Sequence, residues 1–137
     1  MDCIFCKIVN KEIPAFILHE DDDFIVILDR FPLSSGHSLI IPKKHAEDVY
    51  SLDSDILAKA LPLAKEIAGR LKAALDFDGL NIIQNNQAAA GQSVFHFHIH
   101  LVPRWEGDNV PIRFAGSDVG VEALEEIREK IVNCGVL

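Results

Sequence analysis

In the stretch Val94-Phe95-His96-Phe97-His98-Ile99-His100-Leu101-Val102, imidazole and apolar side chains take strict turns from Phe95 to Leu101. A β-strand sends successive side chains to opposite faces. The pattern therefore predicts a strand over 94–102, with His96, His98 and His100 on one face and Phe95, Phe97, Ile99 and Leu101 on the other. The apolar set packs into a core and sets the register, because a slip of one residue buries all three imidazoles. Same-face neighbours stand about 6.6 Å apart. That spacing keeps three rings from converging on one atom but suits a row lying along a substrate.

Working outward, residues 80–85 read as a second strand, joined to the histidine strand by the loop 86–93. Before it, Leu57, Leu61, Ala64, Ala68, Leu71 and Leu75 form one apolar helical stripe. Asp53 or Ser54 is placed to cap its start, and Gly79 lies beyond its end. Pro62 removes a helix hydrogen bond, so a kink, or a helix beginning there, is expected. Residues 16–19 and 24–29 read as a hairpin about Glu20-Asp21-Asp22-Asp23, and 37–41 as another strand. Residues 4–10 suit a short helix ended before Pro14. A second amphipathic helix is expected over 120–132, with Val121, Leu124, Ile127 and Ile131 on one face. Strands in two groups with helices between and after them indicate an α+β domain with a largely antiparallel sheet.

Composition narrows the function. The chain has 137 residues, about one domain's worth. Lys and Arg total 13 against 21 Asp and Glu, a net charge of −8. That balance disfavours nucleic acid or an anionic membrane as partner. The longest run without Asp, Glu, Lys or Arg, residues 79–103, holds Asn, Gln and three His, so it is no membrane helix. No secretory stretch is expected at the start. Three cysteines, an odd number, suit the reducing cytoplasm better than a disulfide framework.

Two chemistries fit a row of histidines: a His-rich metal site, or a histidine nucleophile supported by its neighbours. The surroundings favour the nucleophile. Asn85 and Gly91-Gln92-Ser93 lead into the strand, offering amide, hydroxyl and main-chain donors for phosphate oxygens. A carboxylate there would repel an anion, and the uncharged window contains none. At the other end, Cys3-Ile4-Phe5-Cys6 is a Cys-x-x-Cys. It reads as incidental thiols, a redox pair, or half of a zinc site whose other ligands must be histidines.

His96-Phe97-His98-Ile99-His100-Leu101-Val102 resembles the signature of the histidine triad (HIT) family, in which three histidines alternate with apolar residues. The likeness extends to Ile4-Phe5-Cys6-Lys7-Ile8, Lys11-Glu12-Ile13-Pro14-Ala15, Leu28-Asp29, Gly36-His37, Ile41-Pro42-Lys43-Lys44-His45 and Gly91-Gln92-Ser93-Val94. It is closest to the Hint-like branch over residues 2–104. The resemblance implies a single domain over 1–137, with a C-terminal helical extension at about 118–134. The implied fold is a mostly antiparallel five-stranded sheet with one long helix and shorter ones, in a homodimer. It also implies a hydrolase or transferase acting at the α-phosphate of a purine mononucleotide or nucleoside phosphoramidate, without a catalytic metal.

By position in the motif, the resemblance makes His98 the nucleophile that forms a nucleotidyl-histidine and His100 the phosphate-binding partner. Ser93 contacts the leaving group, and His37 belongs to the supporting network. Asp29 accepts from the ribose, Asn85, Gly91 and Gln92 line the phosphate site, and Phe5 and Ile8 form the base pocket. In bacterial-type relatives a structural Zn2+ sits on residues matching Cys3, Cys6, His45 and His96. The chain departs from the Hint pattern at Arg30, at Gln87-Ala88-Ala89-Ala90 and in its C-terminal tail.

Overall fold

A computed structural model describes residues 2–136. In chain order the elements are α1 (Ile4–Val9), β1 (Ile17–Glu20), β2 (Phe24–Leu28), β3 (Ser38–Pro42), α2 (Ser54–Leu75), β4 (Gly79–Gln84), a single 3-10 turn at Ala88–Ala90, β5 (Ile99–Arg104) and α3 (Val121–Val132). The strands form one five-stranded sheet in the order β1-β2-β3-β5-β4, antiparallel at every pairing. The expected α+β architecture is present.

Both faces of the central strands are covered, and this explains the near-continuous apolar run of β2. Phe24 and Val26 face α2 in a cluster with Ile40, Ile99, Leu101, Leu63, Ile67 and Leu71. Ile25 and Ile27 face the other way, toward Phe5 and Ile8 of α1, with Leu39 and Ile41. His100 pairs with Leu39 across β3 and β5. Paired residues share a face, so His100 lies on the α1 side of the sheet.

Three sequence expectations change. The histidine strand starts at Ile99, not at residue 94, because β3 ends at a proline. Pro42 has no N–H to donate, and its carbonyl accepts from His96 Nε2 at 2.8 Å. A side chain thus occupies the next rung of the ladder. Phe95 is consequently 43% exposed, while Phe97 and His96 are fully buried. The two-face division nevertheless persists back to His96, since Phe97 joins Ile99 and Leu101 in the cluster facing α2 while His96 and His98 meet Phe5; Phe95 alone departs from it.

The long helix runs unbroken from Ser54 through Pro62. Pro62 and Ala58, whose carbonyl it leaves without its helical partner, both lie on the solvent-exposed face. Its buried stripe is Ala60, Leu63, Ala64, Ile67 and Leu71, rotated from the expected one, and Leu61 faces solvent. The helix closes on Asp76 in the left-handed conformation, and Gly79 opens β4 instead. Asp53 stands at the N-cap without a capping bond, its carboxylate paired with Lys44.

The second amphipathic helix forms as α3, but its apolar residues Val121, Leu124, Ile127 and Ile131 all remain exposed. Among the described residues, no helix is long and apolar enough to cross a membrane.

Candidate functional site

The chain between Ser93 and Ile99 is irregular, and its side chains are fixed by hydrogen bonds rather than by a ladder. His98 Nδ1 lies 2.7 Å from the carbonyl oxygen of His96. A carbonyl only accepts, so Nδ1 carries the proton and Nε2 keeps its lone pair. Burial pushes the His98 pKa below its ordinary value, partly offset by that bond and by the Asp29 charge. The ring is therefore neutral near pH 7, as a nucleophile must be.

His100 has the complementary tautomer. The Leu33 amide donates to His37 Nδ1 at 3.0 Å, which leaves the His37 proton on Nε2. That proton faces His100 Nδ1 at 2.9 Å. His100 accepts there and carries its own proton on Nε2. Burial, with His98 and His37 close by, lowers its pKa to about 4. Asp29 Oδ2 stands 3.5 Å from His37 Nε2, and Asp29 Oδ1 accepts from the Phe31 amide at 2.8 Å. The His98 and His100 ring centroids are 4.9 Å apart, so the ring with the free lone pair neighbours the ring with the N–H donor.

Phe5 meets His98 edge-on, with ring centroids 5.0 Å apart. Ile8 lies in the same apolar cluster, buried against the sheet. Gly91 ends the 3-10 turn at φ +91°, the left-handed region that glycine favours, with Asn85 packed over it. Gln92 is buried, and its amide is fully used on the main chain. Nε2 donates to Glu47 O at 2.7 Å and Val94 O at 3.1 Å, and Oε1 accepts from the Gln87 amide at 2.6 Å. Its side chain shapes the loop. Ser93 is exposed and lines a cleft of about 500 Å³ with Cys3, Ile4, His45 and Phe95.

The first histidine of the row faces a different cluster. Cys3 Sγ is 3.4 Å from His96 Nδ1, Cys6 Sγ is 3.4 Å from His45 Nδ1 and 3.6 Å from His96 Nδ1, and the two Nδ1 atoms are 3.1 Å apart. Tetrahedral zinc at ordinary bond lengths places ligand nitrogens about 3.3 Å apart and nitrogen and sulfur about 3.6 Å apart. The four side chains fit the metal. His96 Nε2 donates to Pro42 O, which orients Nδ1 inward, and burial lowers its pKa to about 4. Burial and the Cys3 sulfur raise the Cys6 thiol to about 11, a cost that a divalent cation reverses by stabilising the thiolate.

The Leu33, Pro42 and His96 main-chain groups that set these tautomers carry no mark in the sequence. Their only indirect signal is Pro42, where a ladder must stop.

The HIT domain model matches residues 10–107, well over half of the chain. The chain belongs to the HIT family. The adenylylsulfatase HINT3 of Arabidopsis thaliana is 45% identical over 107 residues, 78% of this chain and 54% of that protein. The adenosine 5′-monophosphoramidase HNT1 of Saccharomyces cerevisiae is 43% identical over 102 residues, 74% of this chain and 62% of that protein. The crystal structure of a Zn-bound histidine triad family protein from Mycobacterium smegmatis superposes with a TM-score of 0.77 at 39% identity, covering 85% of each chain. The triad of this HIT protein is thus divided, His96 facing the cysteine cluster while His98 and His100 neighbour each other.

Proposed function

We propose that this HIT protein hydrolyses or transfers the nucleotidyl group of nucleoside phosphoramidates or related nucleotides, attacking at the α-phosphate. The observation that carries the reading is the complementary pair of tautomers, His98 with a free Nε2 and His100 with an Nε2–H. His98 Nε2 attacks phosphorus, and the P–N bond to the leaving amine breaks as the amine takes a proton from solvent. His100 donates to the charge developing on a phosphoryl oxygen, which is the main source of rate in phosphoryl transfer. Water then cleaves the P–N bond of the nucleotidyl-histidine and frees His98.

Asp29, beside His37, accepts from the ribose. Asn85, Gly91 and the main chain at Gln92 line the phosphate. Ser93 meets the leaving group, and Phe5 and Ile8 bound the base side. The two relatives named as an adenylylsulfatase and an adenosine 5′-monophosphoramidase support the reading. Zn2+ on Cys3, Cys6, His45 and His96 is structural: four protein ligands close the site and leave no open position for substrate. Holding it requires reduced thiols, so a cytoplasmic location is proposed with it.

The proposed partner in assembly is a second copy of this chain. A 12-residue helix with an uncovered apolar stripe, α3, is too short to be stable in isolation and supports that choice. The activity is tested by incubation with adenosine 5′-phosphoramidate. AMP release by the wild type and its loss in His98→Ala are expected. Tight mononucleotide binding without turnover would replace the enzyme with a nucleotide sensor, and full turnover by His98→Ala would remove the nucleophile.

A further inference from the structure

Taking His98 as the nucleophile, as proposed above, we infer that the metal cluster is a clamp on that ring, with His96 and Phe5 as positioning residues. Two paths lead from the cluster to His98. The first is the main chain of His96. Its side chain is pinned from both sides, Nδ1 among Cys3, Cys6 and His45, and Nε2 on the Pro42 carbonyl. The carbonyl of this same residue takes the His98 Nδ1 proton and fixes the tautomer. A shift of His96 moves the acceptor that leaves Nε2 unprotonated.

The second path is α1. It has only six residues and cannot persist alone. Cys3 and Cys6, at its N-cap and in its first turn, both belong to the cluster, and Phe5 lies between them. The Phe5 ring stands edge-on to His96 at 5.9 Å and to His98 at 5.0 Å, near perpendicular to both. A metal that ties the two sulfurs to His45 and His96 therefore holds the wall of His98 as well as its hydrogen-bond acceptor. Without it, one end of the α1 contact depends on weak thiol bonds, and the ring gains room to turn.

The claim concerns orientation, so its primary readout is spectroscopic. In the zinc-loaded wild type with 15N-labelled histidine, His98 is expected to show a single Nδ1–H tautomer with a slowly exchanging proton. Removing the metal with a chelator, with the sheet intact by circular dichroism, is expected to mix the tautomers and speed that exchange. The rate of nucleotidyl-histidine formation at saturating substrate should drop about 10- to 100-fold, the usual effect of losing an outer-shell support. Adding back Zn2+ restores both.

Phe5→Leu keeps all four ligands, so it should retain zinc yet show part of the same mixing. It also decides the matter if the metal-free chain unfolds. An unchanged His98 spectrum in folded metal-free protein overturns the clamp. So does an unchanged spectrum in Phe5→Leu when the metal-free chain unfolds, or a failure of the wild type to take up Zn2+. A zinc-loaded protein with the expected spectra but no turnover on any phosphoramidate sinks the proposed activity and leaves the clamp standing.

Discussion

His37 Nε2 and His100 Nδ1 meet at 2.9 Å, and the order of protons along that contact determines what His100 offers a substrate. Because the Leu33 amide occupies His37 Nδ1, the shared proton belongs to His37, and His100 turns an N–H outward. In the proposed reaction, truncating His100 removes a donor to the charge that develops on a phosphoryl oxygen. His100→Ala is expected to lower kcat by about 10²–10³, the cost of one such donor, with a much smaller change in mononucleotide affinity. His37→Ala should move kcat in the same direction by a smaller factor, since His100 is then free to take the wrong tautomer. Single-turnover kinetics on adenosine 5′-phosphoramidate, with AMP binding by calorimetry, separates the two effects. A loss of affinity with kcat unchanged would place His100 in ground-state binding alone.

The end of β5 carries a pH-dependent tie. Arg104 donates to both oxygens of Asp108, and the amides of Val110 and Trp105 donate to the same carboxylate. The Arg104 bond, then the Val110 amide, hold the Asp108 carboxyl well below the usual carboxylate range. A carboxylate whose folded pKa is depressed adds stability above its unfolded pKa of about 4, and that stability is lost as pH falls through the folded value. Urea midpoints of the wild type should therefore fall as pH drops below about 4, and Asp108→Asn should flatten that acid limb. A parallel limb in the variant would assign the acid sensitivity elsewhere.

Pro62 tests the long helix. It sits in the middle of α2 with its face in water, and the helix passes through it without a break. A proline inside a helix costs about 3 kcal/mol, offset by about 0.4–1 kcal/mol through its restriction of the unfolded chain. Pro62→Ala restores the amide that bonds the Ala58 carbonyl. A net gain of about 2–2.6 kcal/mol is expected from those two terms, read as a raised urea midpoint at unchanged m-value. A loss of stability would mean that the proline ring packs against something in the assembled protein.

The sequence pattern told more about the sheet than about its ends. Alternation in Ile99-His100-Leu101 set His100 on the face opposite Ile99 and Leu101 correctly, because that stretch does pair on both sides, with Leu39 and with Ile83. The strand itself failed just before Ile99, where Pro42 stops the ladder, although Phe97 still shares a face with Ile99 and Leu101. Helix α2 was legible as a helix, yet its buried stripe was misjudged. Small residues such as Ala60 pack against the sheet while Leu61 stays in water, a choice made by the shape of the partner surface. The pairing of Cys3, Cys6, His45 and His96 is spread over 93 positions of chain, and only the family likeness brought those four residues together before the structure did.

Gln92 shows how a polar residue near a reactive site can be misread from sequence. Its position beside Ser93 suggests a hand on the phosphate, but its amide holds Glu47 O, Val94 O and the Gln87 amide, and the side chain is buried. Gln92→Ala leaves those main-chain groups without their partner, and a buried unpaired group costs about 1–3 kcal/mol. Gln92→Glu is harsher near neutral pH, because it sets a buried carboxylate against two carbonyl oxygens. Its folded pKa is therefore raised, and its destabilisation should ease as pH falls and the carboxyl takes a proton that Glu47 O or Val94 O can accept. Urea titrations from about pH 4.5 to 8 bracket the ordinary glutamate value and a raised one, and they should show the Glu variant converging on wild type at the acid end while the Ala variant stays offset throughout. If Gln92 instead acts on substrate, both variants keep wild-type stability and lose mononucleotide affinity, the opposite division of effects.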